Sequence, residues 1–288
     1  MMSAYPPKRG QRLCIAIPAS LVEDTPHLRE KTYKVGLVGR AASIFRVDEI
    51  MIYFDKPHQN QNQDAELIAS ILRYMETPQY LRRVLVKVEP KLRFVGILPP
   101  LRTPHHLVSG KREDLKPGML RQGIVTEVRD KFSLVDVGVG EPAIVQGSLP
   151  TNSRITVTLT KIKGGIEAVM LDEAEIRIYW GFHVTVPKLP LAESSRKIGF
   201  DLIISTSRYG KEIDEVFPDL QSAWAESKRI LVAFGSPAKG LEDILKGEGL
   251  GLKEYSDFAI NTIPKQGVET VRIEEAIYAS LSLLNILR

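Results

Sequence analysis

Cysteine is nearly absent from this chain of 288 residues, which contains one, Cys14. A single thiol excludes an internal disulfide, and no cysteine–histidine cluster has the spacing of a zinc site. Cys14 lies in the apolar run Leu13–Ile17, which predicts a small, buried side chain. We therefore expect no metal, and a reducing compartment such as the cytoplasm is the natural setting.

Long apolar runs are also missing, and none approaches the length of a membrane span. The first twelve residues are basic and contain proline, so we expect neither a secretory signal nor a membrane partner. Hydrophobic residues make up 43% of the chain and charged residues 26%. These values are typical of a globular protein, and the length allows two domains.

The common nucleotide-binding fingerprints are absent too. The chain has no G-x-x-x-x-G-K-[ST] loop and no G-x-G-x-x-G after its first predicted strand. The glycines of Gly247–Gly251 have the wrong spacing and context, and we interpret this segment as a flexible connection. A P-loop ATPase or an NAD enzyme is therefore disfavoured.

The positive charge is modest overall and concentrated in one region. The net charge is +4, while Arg82–Lys116 contains nine basic and three acidic residues. Such a stripe can neutralise phosphates, or it can simply be a solvated surface, and charge alone does not decide between the two.

Helical and strand patterns alternate at both ends of the chain, whereas the middle contains only short strands. The first part predicts strands at 12–18 and 47–54 and helices at 26–43, 64–76 and 79–88. The middle predicts five strands, at 121–128, 132–137, 142–146, 154–161 and 166–170. The last part predicts an extended segment at 176–186, strands at 201–205, 229–234 and 258–263, and helices at 191–198, 219–227, 241–245 and 272–287.

This order predicts an α/β fold with a mostly parallel sheet, split by an inserted small OB-like β-barrel. The expected domains are 1–96 and 175–288, which together form the α/β domain, and 97–174, which forms the barrel. Thr25 and Thr270 are the expected N-caps of the first and last helices.

Three loops rich in small residues follow strands in the C-terminal half, at 205–210, 234–240 and 261–267. Ligands of open α/β sheets bind at the carboxyl ends of the strands, so the loops predict one shared pocket. The alternative is three ordinary tight connections. In the last loop, we expect Pro264 and Gly267 to set unusual backbone angles, and main-chain groups to hold a small polar ligand.

Several segments resemble the motifs of one enzyme class. They are Gly39–Ala42 followed by Phe45 and Val47–Ile50; Leu98–Leu101 with Thr103–His106; Ser205–Gly210; and the final stretch with Asn261, Pro264, Gln266, Gly267, Thr270, Arg272, Glu274 and Glu275. Together they resemble the SPOUT-class methyltransferases, and most closely the archaeal and eukaryotic RNA methyltransferase family that carries an inserted OB-like domain.

The resemblance implies a trefoil knot in the C-terminal part, S-adenosylmethionine as cofactor, and a homodimer in which the partner completes each site. It also implies that loop residues bind the cofactor, largely through main-chain groups. The expected cofactor-binding residues are Ser205, Thr206, Ser207, Phe234, Gly235, Ser236, Gly240, Asn261, Ile263, Pro264, Gln266, Gly267, Thr270 and Val271.

Two arginines are candidate catalytic residues. A sulfonium methyl is already activated, so the protein must align the reactants and stabilise negative charge on a weakly acidic acceptor. Arg40 matches the arginine of the first motif in ribose-methylating relatives, and Arg208 lies in the first of the three loops. A surface arginine and a loop salt bridge are the respective alternatives.

The expected substrate is a structured ribosomal or transfer RNA, methylated on a base nitrogen or a ribose. The alternative function is a non-catalytic RNA-binding or ribosome-assembly protein on the same scaffold. The candidate RNA-binding residues are Arg82, Arg83, Arg102, His105, His106, Lys111, Arg112 and Lys239. The histidine pair could equally be ordinary surface, and Phe132 is almost the only aromatic residue in the barrel segment.

Overall fold

A computed structural model describes residues 5–87, 89–107 and 110–287 as two compact units. The barrel unit comprises the described residues of Met1–Lys8, Glu76–Val88 and Leu101–Gly181, and the α/β unit those of Arg9–Met75, Glu89–Pro100 and Phe182–Arg288. The barrel unit thus includes a segment after residue 75 that the sequence assigns to the α/β domain. Among the described residues, no helix is long and apolar enough to cross a membrane.

A six-stranded parallel sheet forms the centre of the α/β unit, in the order β11-β9-β10-β1-β2-β8. Its strands are β1 (Arg12–Pro18), β2 (Glu49–Tyr53), β8 (His183–Thr185), β9 (Leu202–Glu212), β10 (Arg229–Ala233) and β11 (Phe258–Asn261). The helices of this unit are α1 (Leu28–Ile44), α2 (Asn62–Glu76), α4 (Leu191–Ile198), α5 (Ile213–Glu226), α6 (Leu241–Gly247), α7 (Leu252–Tyr255) and α8 (Ile273–Leu284). Helix α3 (Gln79–Leu85) follows α2 in the chain and belongs to the barrel unit. The predicted parallel sheet is confirmed.

The strands β1, β2 and β10 are almost entirely buried, as expected for a parallel sheet covered on both faces. Helix α8 packs against α1. In α1, a Cβ on Gly36 would lie 2.7 Å from Leu98 Cδ2, and one on Gly39 would lie 3.0 Å from Met75 Sδ. These two glycines therefore allow close packing of neighbouring segments.

Five strands of the barrel unit close into a barrel in the order β3-β4-β5-β7-β6. They are β3 (Leu120–Arg129), β4 (Phe132–Asp136), β5 (Ala143–Gln146), β6 (Arg154–Lys161) and β7 (Ile166–Leu171). The pairing is antiparallel except between β5 and β7. Alternate apolar side chains, among them Val135, Val145 and Val157, fill the interior. The predicted five-stranded barrel is confirmed.

The predicted helix caps are wrong. Helix α1 begins at Leu28, and His27, the residue at its N-cap, makes no side-chain capping bond. Helix α8 begins at Ile273, where the Glu275 carboxylate accepts the Arg272 backbone N–H at 2.9 Å. Thr270 instead lies on the wall of a cavity, so the loop before α8 extends farther than local capping signals suggest.

Other element bounds differ from the prediction where tertiary contacts outweigh local signals. Helix α5 begins at Ile213 and includes Pro218, which the sequence places before the helix. Strand β9 extends to Glu212, and only His183–Thr185 of the segment 176–186 forms a strand. Helix α7 is absent from the prediction. The predicted end of the third helix, Val88, lies outside the described residues.

The segment predicted to be a flexible connection has a structural role. Glu248 accepts the backbone N–H of Leu191 at 3.0 Å and that of Ala192 at 2.9 Å, so it caps α4 from a distant part of the chain. Burial raises the pKa of the Glu248 carboxyl, although the two N–H donors oppose this effect.

Candidate functional site

One cavity of about 560 Å³ lies at the carboxyl ends of β9, β10 and β11. The three predicted loops all contribute to it, which is the shared pocket expected from the sequence. Its lining residues are Thr206–Tyr209, Phe234–Asp243, Lys246, Asn261–Ile263, Gln266, Glu269–Val271, Ile273 and Ala276. We call it the main cavity.

The first loop is a bulge in β9. Ser205 pairs with Ala259 of β11, but the next pair joins Ile260 to Lys211, so the residues between Ser205 and Lys211 leave the register. A Cβ on Gly210 would lie 2.7 Å from the Ala259 carbonyl oxygen. Only glycine lets the two strands approach this closely beside the bulge.

Two hydroxyl groups of other strands in the sheet hold the start of the second loop. Tyr53 Oη donates to the Phe234 carbonyl oxygen at 2.7 Å, and Thr206 Oγ1 donates to the Ala233 carbonyl oxygen at 2.9 Å. Within the loop itself, the Ser236 backbone N–H donates to the Lys239 carbonyl oxygen at 2.8 Å. The loop is therefore a closed turn anchored to the sheet.

Asn261 connects the first and third loops. Its Nδ2 donates to the Arg208 carbonyl oxygen at 3.1 Å, and its Oδ1 accepts the Ile263 N–H at 3.0 Å. Farther along, the Gln266 side-chain amide donates to the carbonyl oxygens of Val268 at 2.9 Å and Glu269 at 3.1 Å. Side-chain amides thus shape the third loop.

The residue with unusual backbone angles in this loop is Lys265, whose φ is 52°, and Gly267 does not adopt a positive φ. The expectation for Gly267 is therefore wrong. A non-glycine residue in the left-handed region carries a conformational cost, and such residues are concentrated at functional sites.

The two candidate catalytic arginines have different surroundings. Arg208 lines the main cavity; its Nη1 donates to the Glu269 carbonyl oxygen at 3.1 Å, and its guanidinium carbon lies 4.7 Å from the centre of the Tyr209 ring. Arg40 lies on α1, donates to the Pro100 carbonyl oxygen at 3.0 Å, and is not among the residues that line the cavity.

Most of the expected cofactor-binding residues are brought together. The cavity is lined by Thr206, Ser207, Phe234, Gly235, Ser236, Gly240, Asn261, Ile263, Gln266, Thr270 and Val271. Pro264 and Gly267 are not among the lining residues, and Ser205 is fully buried beside the bulge. Within the described residues, the Ser205 hydroxyl has no hydrogen-bond partner. Roles in binding remain predictions for all of these residues.

The residues expected to bind the cofactor omit several residues of the wall, although Tyr209, Pro237, Ala238 and Thr262 belong to the three predicted loops. The omitted residues are Tyr209, Pro237, Ala238, Leu241, Glu242, Asp243, Lys246, Thr262, Glu269, Ile273 and Ala276. Tyr209 belongs to a loop that the sequence singles out, and its 81% exposure is unusual for an aromatic side chain. The apolar residues of α6 and α8 carry no local signal, because a helix face directed at a pocket resembles one directed at the core.

Cationic and anionic groups are balanced around the main cavity. Its lining includes three basic side chains, of Arg208, Lys239 and Lys246, and three acidic ones, of Glu242, Asp243 and Glu269. In the part of the chain that the structure describes, no group of three or more histidine, cysteine or acidic residues could hold a metal ion.

The candidate RNA-binding residues differ in their surroundings: one lines the main cavity, some are exposed, and the others contact protein groups. Lys239 lines the main cavity, and Arg83, Arg102 and Lys111 are exposed in the barrel unit. Arg82 is half-buried and donates to the Thr77 carbonyl oxygen.

Arg112 forms an ion pair with Glu141 and donates to the Ile162 carbonyl oxygen at 2.8 Å. Its guanidinium is thus already engaged with protein groups.

The side chain of His105 is fully buried, so it presents no surface for the expected contact with RNA. The Nε2 atoms of His105 and His106 lie 2.9 Å and 2.8 Å from the Glu76 carbonyl oxygen. The Glu76 carboxylate also accepts two bonds from Arg154, at 2.7 and 2.9 Å. Burial and the neighbouring His105 lower the pKa of His106 to about 4. This cluster is an internal polar network of the barrel unit.

Comparison with known proteins identifies the family of this chain. The family described as "Putative RNA methyltransferase" matches residues 12–284. An uncharacterized protein of Haloarcula marismortui is 34% identical, over 94% of this chain and 98% of that protein. The 28S rRNA (uridine-N(3))-methyltransferases of Mus musculus and Homo sapiens are 31% and 30% identical over 96% of this chain, and the matches cover 76% and 78% of those proteins. Since the family match spans nearly the whole chain, the protein belongs to this family of RNA methyltransferases.

Proposed function

We propose that this protein transfers a methyl group from S-adenosylmethionine to N3 of a uridine in ribosomal RNA. The observation that carries the proposal is the convergence of the β9, β10 and β11 loops on one cavity. The acceptor is proposed from the mouse and human relatives, whose names specify uridine N3 in 28S rRNA.

The main cavity suits a nucleoside cofactor. Its volume of about 560 Å³ lies in the usual range for small-molecule sites. Apolar side chains such as Leu241 and Ile263 can contact an adenine ring, while the loops around Gly235 and Gly240 offer main-chain groups. A Cβ on Gly240 would meet no protein atom within 4 Å, so this backbone borders open space.

When bound, S-adenosylmethionine would supply a methyl group already activated on a sulfonium. Thr206, Gly235 and Ile263 would help to hold it, and the enzyme's remaining task is to orient the acceptor. The balanced charges around the cavity suit a ligand that carries both a cation and a carboxylate.

Arg208 is the best-placed catalytic group. N3 of uracil must lose its proton, which passes to solvent, and the resulting negative charge spreads onto the two flanking carbonyl oxygens until N3 takes the methyl group and the thioether leaves. The Arg208 guanidinium is held in place by the Glu269 carbonyl oxygen and the Tyr209 ring, so it can stabilise that charge with little reorganisation. Arg40, the other candidate expected from the sequence, would act in a partner's site.

The resemblance to SPOUT proteins also leads us to propose a knotted C-terminal chain, a homodimer and a cytoplasmic location. The packing of α8 on α1 and the exposure of Tyr33, Ile44 and Ile286 support a dimer through these elements. Light scattering coupled to size exclusion tests this part: a monomer at micromolar concentration would contradict it.

Calorimetry with S-adenosylmethionine and a methylation assay test the function. The assay uses unmodified large-subunit rRNA transcripts and detects 3-methyluridine by mass spectrometry. We expect micromolar cofactor binding and one modified uridine. A folded protein that does not bind the cofactor would refute the proposal, and binding of RNA without methylation would favour the non-catalytic alternative.

Variants of Arg208 test its role. Loss of a preorganised cation costs roughly 100- to 1,000-fold in kcat, so we expect that loss for Arg208→Ala and a smaller one for Arg208→Lys. Arg196→Ala, an exposed change on α4, is the matched control. Arg40→Ala is measured alongside, and wild-type rates in both Arg40→Ala and Arg208→Ala would show that neither arginine is catalytic.

A further inference from the structure

A second cavity, of about 380 Å³, lies beside the main cavity. It shares Arg208, Tyr209, Asn261, Ile263, Gln266 and Glu269 with the main cavity and adds Lys265 and Val268. We call it the side cavity. A ligand there would touch the same arginine and tyrosine that border the main cavity.

We propose that the side cavity binds the acceptor nucleotide of the RNA, with its base stacked on Tyr209 and its phosphate paired with Lys265. The inference rests on the proposed methyl transfer and assigns the substrate site of that reaction. It adds two residues, Tyr209 and Lys265, that neither the motifs nor the family match assigns to a role.

The exposure of Tyr209 is the first argument. Its side chain is 81% exposed, although aromatic rings are usually buried because their burial is strongly favourable. The Arg208 guanidinium carbon lies 4.7 Å from the ring centre, so a cation covers one side of the ring. The ring is thus held by its neighbour and remains open to a stacking partner. A base stacked on an aromatic side chain contributes about 1–3 kcal/mol.

The charge of the side cavity also favours a nucleotide. The side cavity is lined by two basic side chains, Arg208 and Lys265, and one acidic side chain, Glu269. The main cavity has equal numbers of both signs. An anionic nucleotide is therefore favoured in the side cavity, while the main cavity, which presents both signs of charge, suits a cofactor that carries cations and a carboxylate.

The backbone conformation of Lys265 also supports a role for this residue. Lys265 has a φ of 52°, and the two bonds from the Gln266 amide to the carbonyl oxygens of Val268 and Glu269 tighten the turn around it. The left-handed conformation of Lys265 has an energetic cost, and it places this lysine at the rim of a cavity that also contains Arg208.

Variants of residues that line only the side cavity separate acceptor binding from cofactor binding. We expect Lys265→Ala and Val268→Trp to lower kcat/KM for rRNA roughly 5- to 150-fold, a loss that corresponds to about 1–3 kcal/mol. The affinity for S-adenosylmethionine should stay within twofold in calorimetry. Lys253→Ala, which changes an exposed lysine elsewhere, is the control.

Tyr209 itself needs a conservative comparison, because it borders both cavities. Tyr209→Phe keeps the ring and should retain most of kcat/KM, whereas Tyr209→Ala should lose it mainly through a higher KM for RNA. Equal effects of the two variants would contradict stacking. Wild-type kcat/KM in Lys265→Ala and Val268→Trp would overturn the proposal while leaving the proposed function intact.

Photo-crosslinking tests the site without relying on activity. RNA transcripts carrying 4-thiouridine are irradiated with the full-length protein, and the crosslinked peptides are sequenced by mass spectrometry. Crosslinks at Tyr209 or residues 265–268 would support the site even if the protein never methylated RNA. Crosslinks confined to the barrel unit would overturn it even if the methyl transfer were demonstrated.

Discussion

Single side chains fix the position of the loops around the main cavity. Tyr53 is fully buried at the end of β2, and its hydroxyl reaches the Phe234 carbonyl oxygen at the start of the β10 loop. Asn261 similarly joins the third loop to the first through the Arg208 carbonyl oxygen. These bonds restrict the loops before any ligand binds, which reduces the entropic cost of binding.

Replacing Tyr53 by phenylalanine should destabilise the protein and loosen the cofactor site. The Phe234 carbonyl oxygen would lose its donor in a buried position, at a cost of about 1–3 kcal/mol. We expect urea denaturation to show that loss and calorimetry to show weaker S-adenosylmethionine binding. Ser148→Ala, which removes an exposed hydroxyl of the barrel unit, should leave the free energy of unfolding unchanged. Unaltered cofactor affinity in Tyr53→Phe would show that this bond does not position the loop.

The pairing of β9 with β11 creates the bulge on which the site is built. The bulge is possible because Gly210 lets the two backbones approach closely. Sequence shows the glycine, but nothing in its neighbours shows that the backbone of a strand more than forty residues away lies against it.

Gly210→Ala should therefore separate β9 from β11. A Cβ would lie 2.7 Å from the Ala259 carbonyl oxygen, and backbone cannot yield as a flexible side chain can. Overpacking of this kind costs about 1–3 kcal/mol. The free energy of unfolding and the cofactor affinity should both fall.

Gly247→Ala provides the contrasting control for that change. A Cβ there would meet nothing within 4 Å, and the residue ends helix α6. We expect an effect between zero and about 1 kcal/mol of stabilisation. Equal losses of unfolding free energy in Gly210→Ala and Gly247→Ala would show that the close approach of the strands at Gly210 does not cause the destabilisation.

Helix α4 depends on a cap supplied from a distant segment. Removing the carboxylate in Glu248→Ala would leave the Leu191 and Ala192 N–H groups without their acceptor. Loss of an N-cap costs about 0.5–2 kcal/mol, which chemical denaturation should detect. Glu226→Ala, an exposed change at the end of α5, should have no such cost. A stable Glu248→Ala variant would indicate that water replaces the cap.

The barrel unit as a whole should be sensitive to acid. Burial lowers the pKa of His106 to about 4, because its neutral form is favoured in the folded state. Burial would raise the pKa of Glu76, but bonds from His105 and Arg154 outweigh it and lower that pKa. In both cases the unfolded chain binds more protons than the folded one at low pH, so acid favours unfolding.

The expected pH profile follows from these two groups. The contribution of His106 is complete above about pH 6.5, its unfolded value, and declines as the pH falls toward 4. The contribution of Glu76 is lost below that, as the pH falls through its lowered pKa. Each extra proton bound by the unfolded state reduces the unfolding free energy by about 1.4 kcal/mol per pH unit.

Thermal unfolding between pH 7 and 4 measures this dependence. His106→Gln keeps a side-chain donor but does not titrate, so its profile should be flatter between pH 6.5 and 4. His58→Gln, at an exposed loop histidine, should leave the wild-type profile unchanged. If the stability of His106→Gln changes with pH as steeply as that of the wild type, His106 is not the origin of the pH dependence.

The sequence alone predicted the parallel sheet, the inserted barrel and the three loops on one edge. Those features follow from the period of apolar residues and from the positions of glycine and proline, which are local properties of the chain. The RNA methyltransferase assignment also came from the sequence, through motifs such as Asn261–Gly267.

Only the tertiary structure decided which side chains share a cavity and which are internal. It brought Arg208, Tyr209 and Lys265 together, left Arg40 away from the cavity lining, and buried His105 against Glu76. It also replaced the predicted caps at Thr25 and Thr270. Contacts between segments far apart in the chain determine burial and side-chain partners, and no local pattern encodes those contacts.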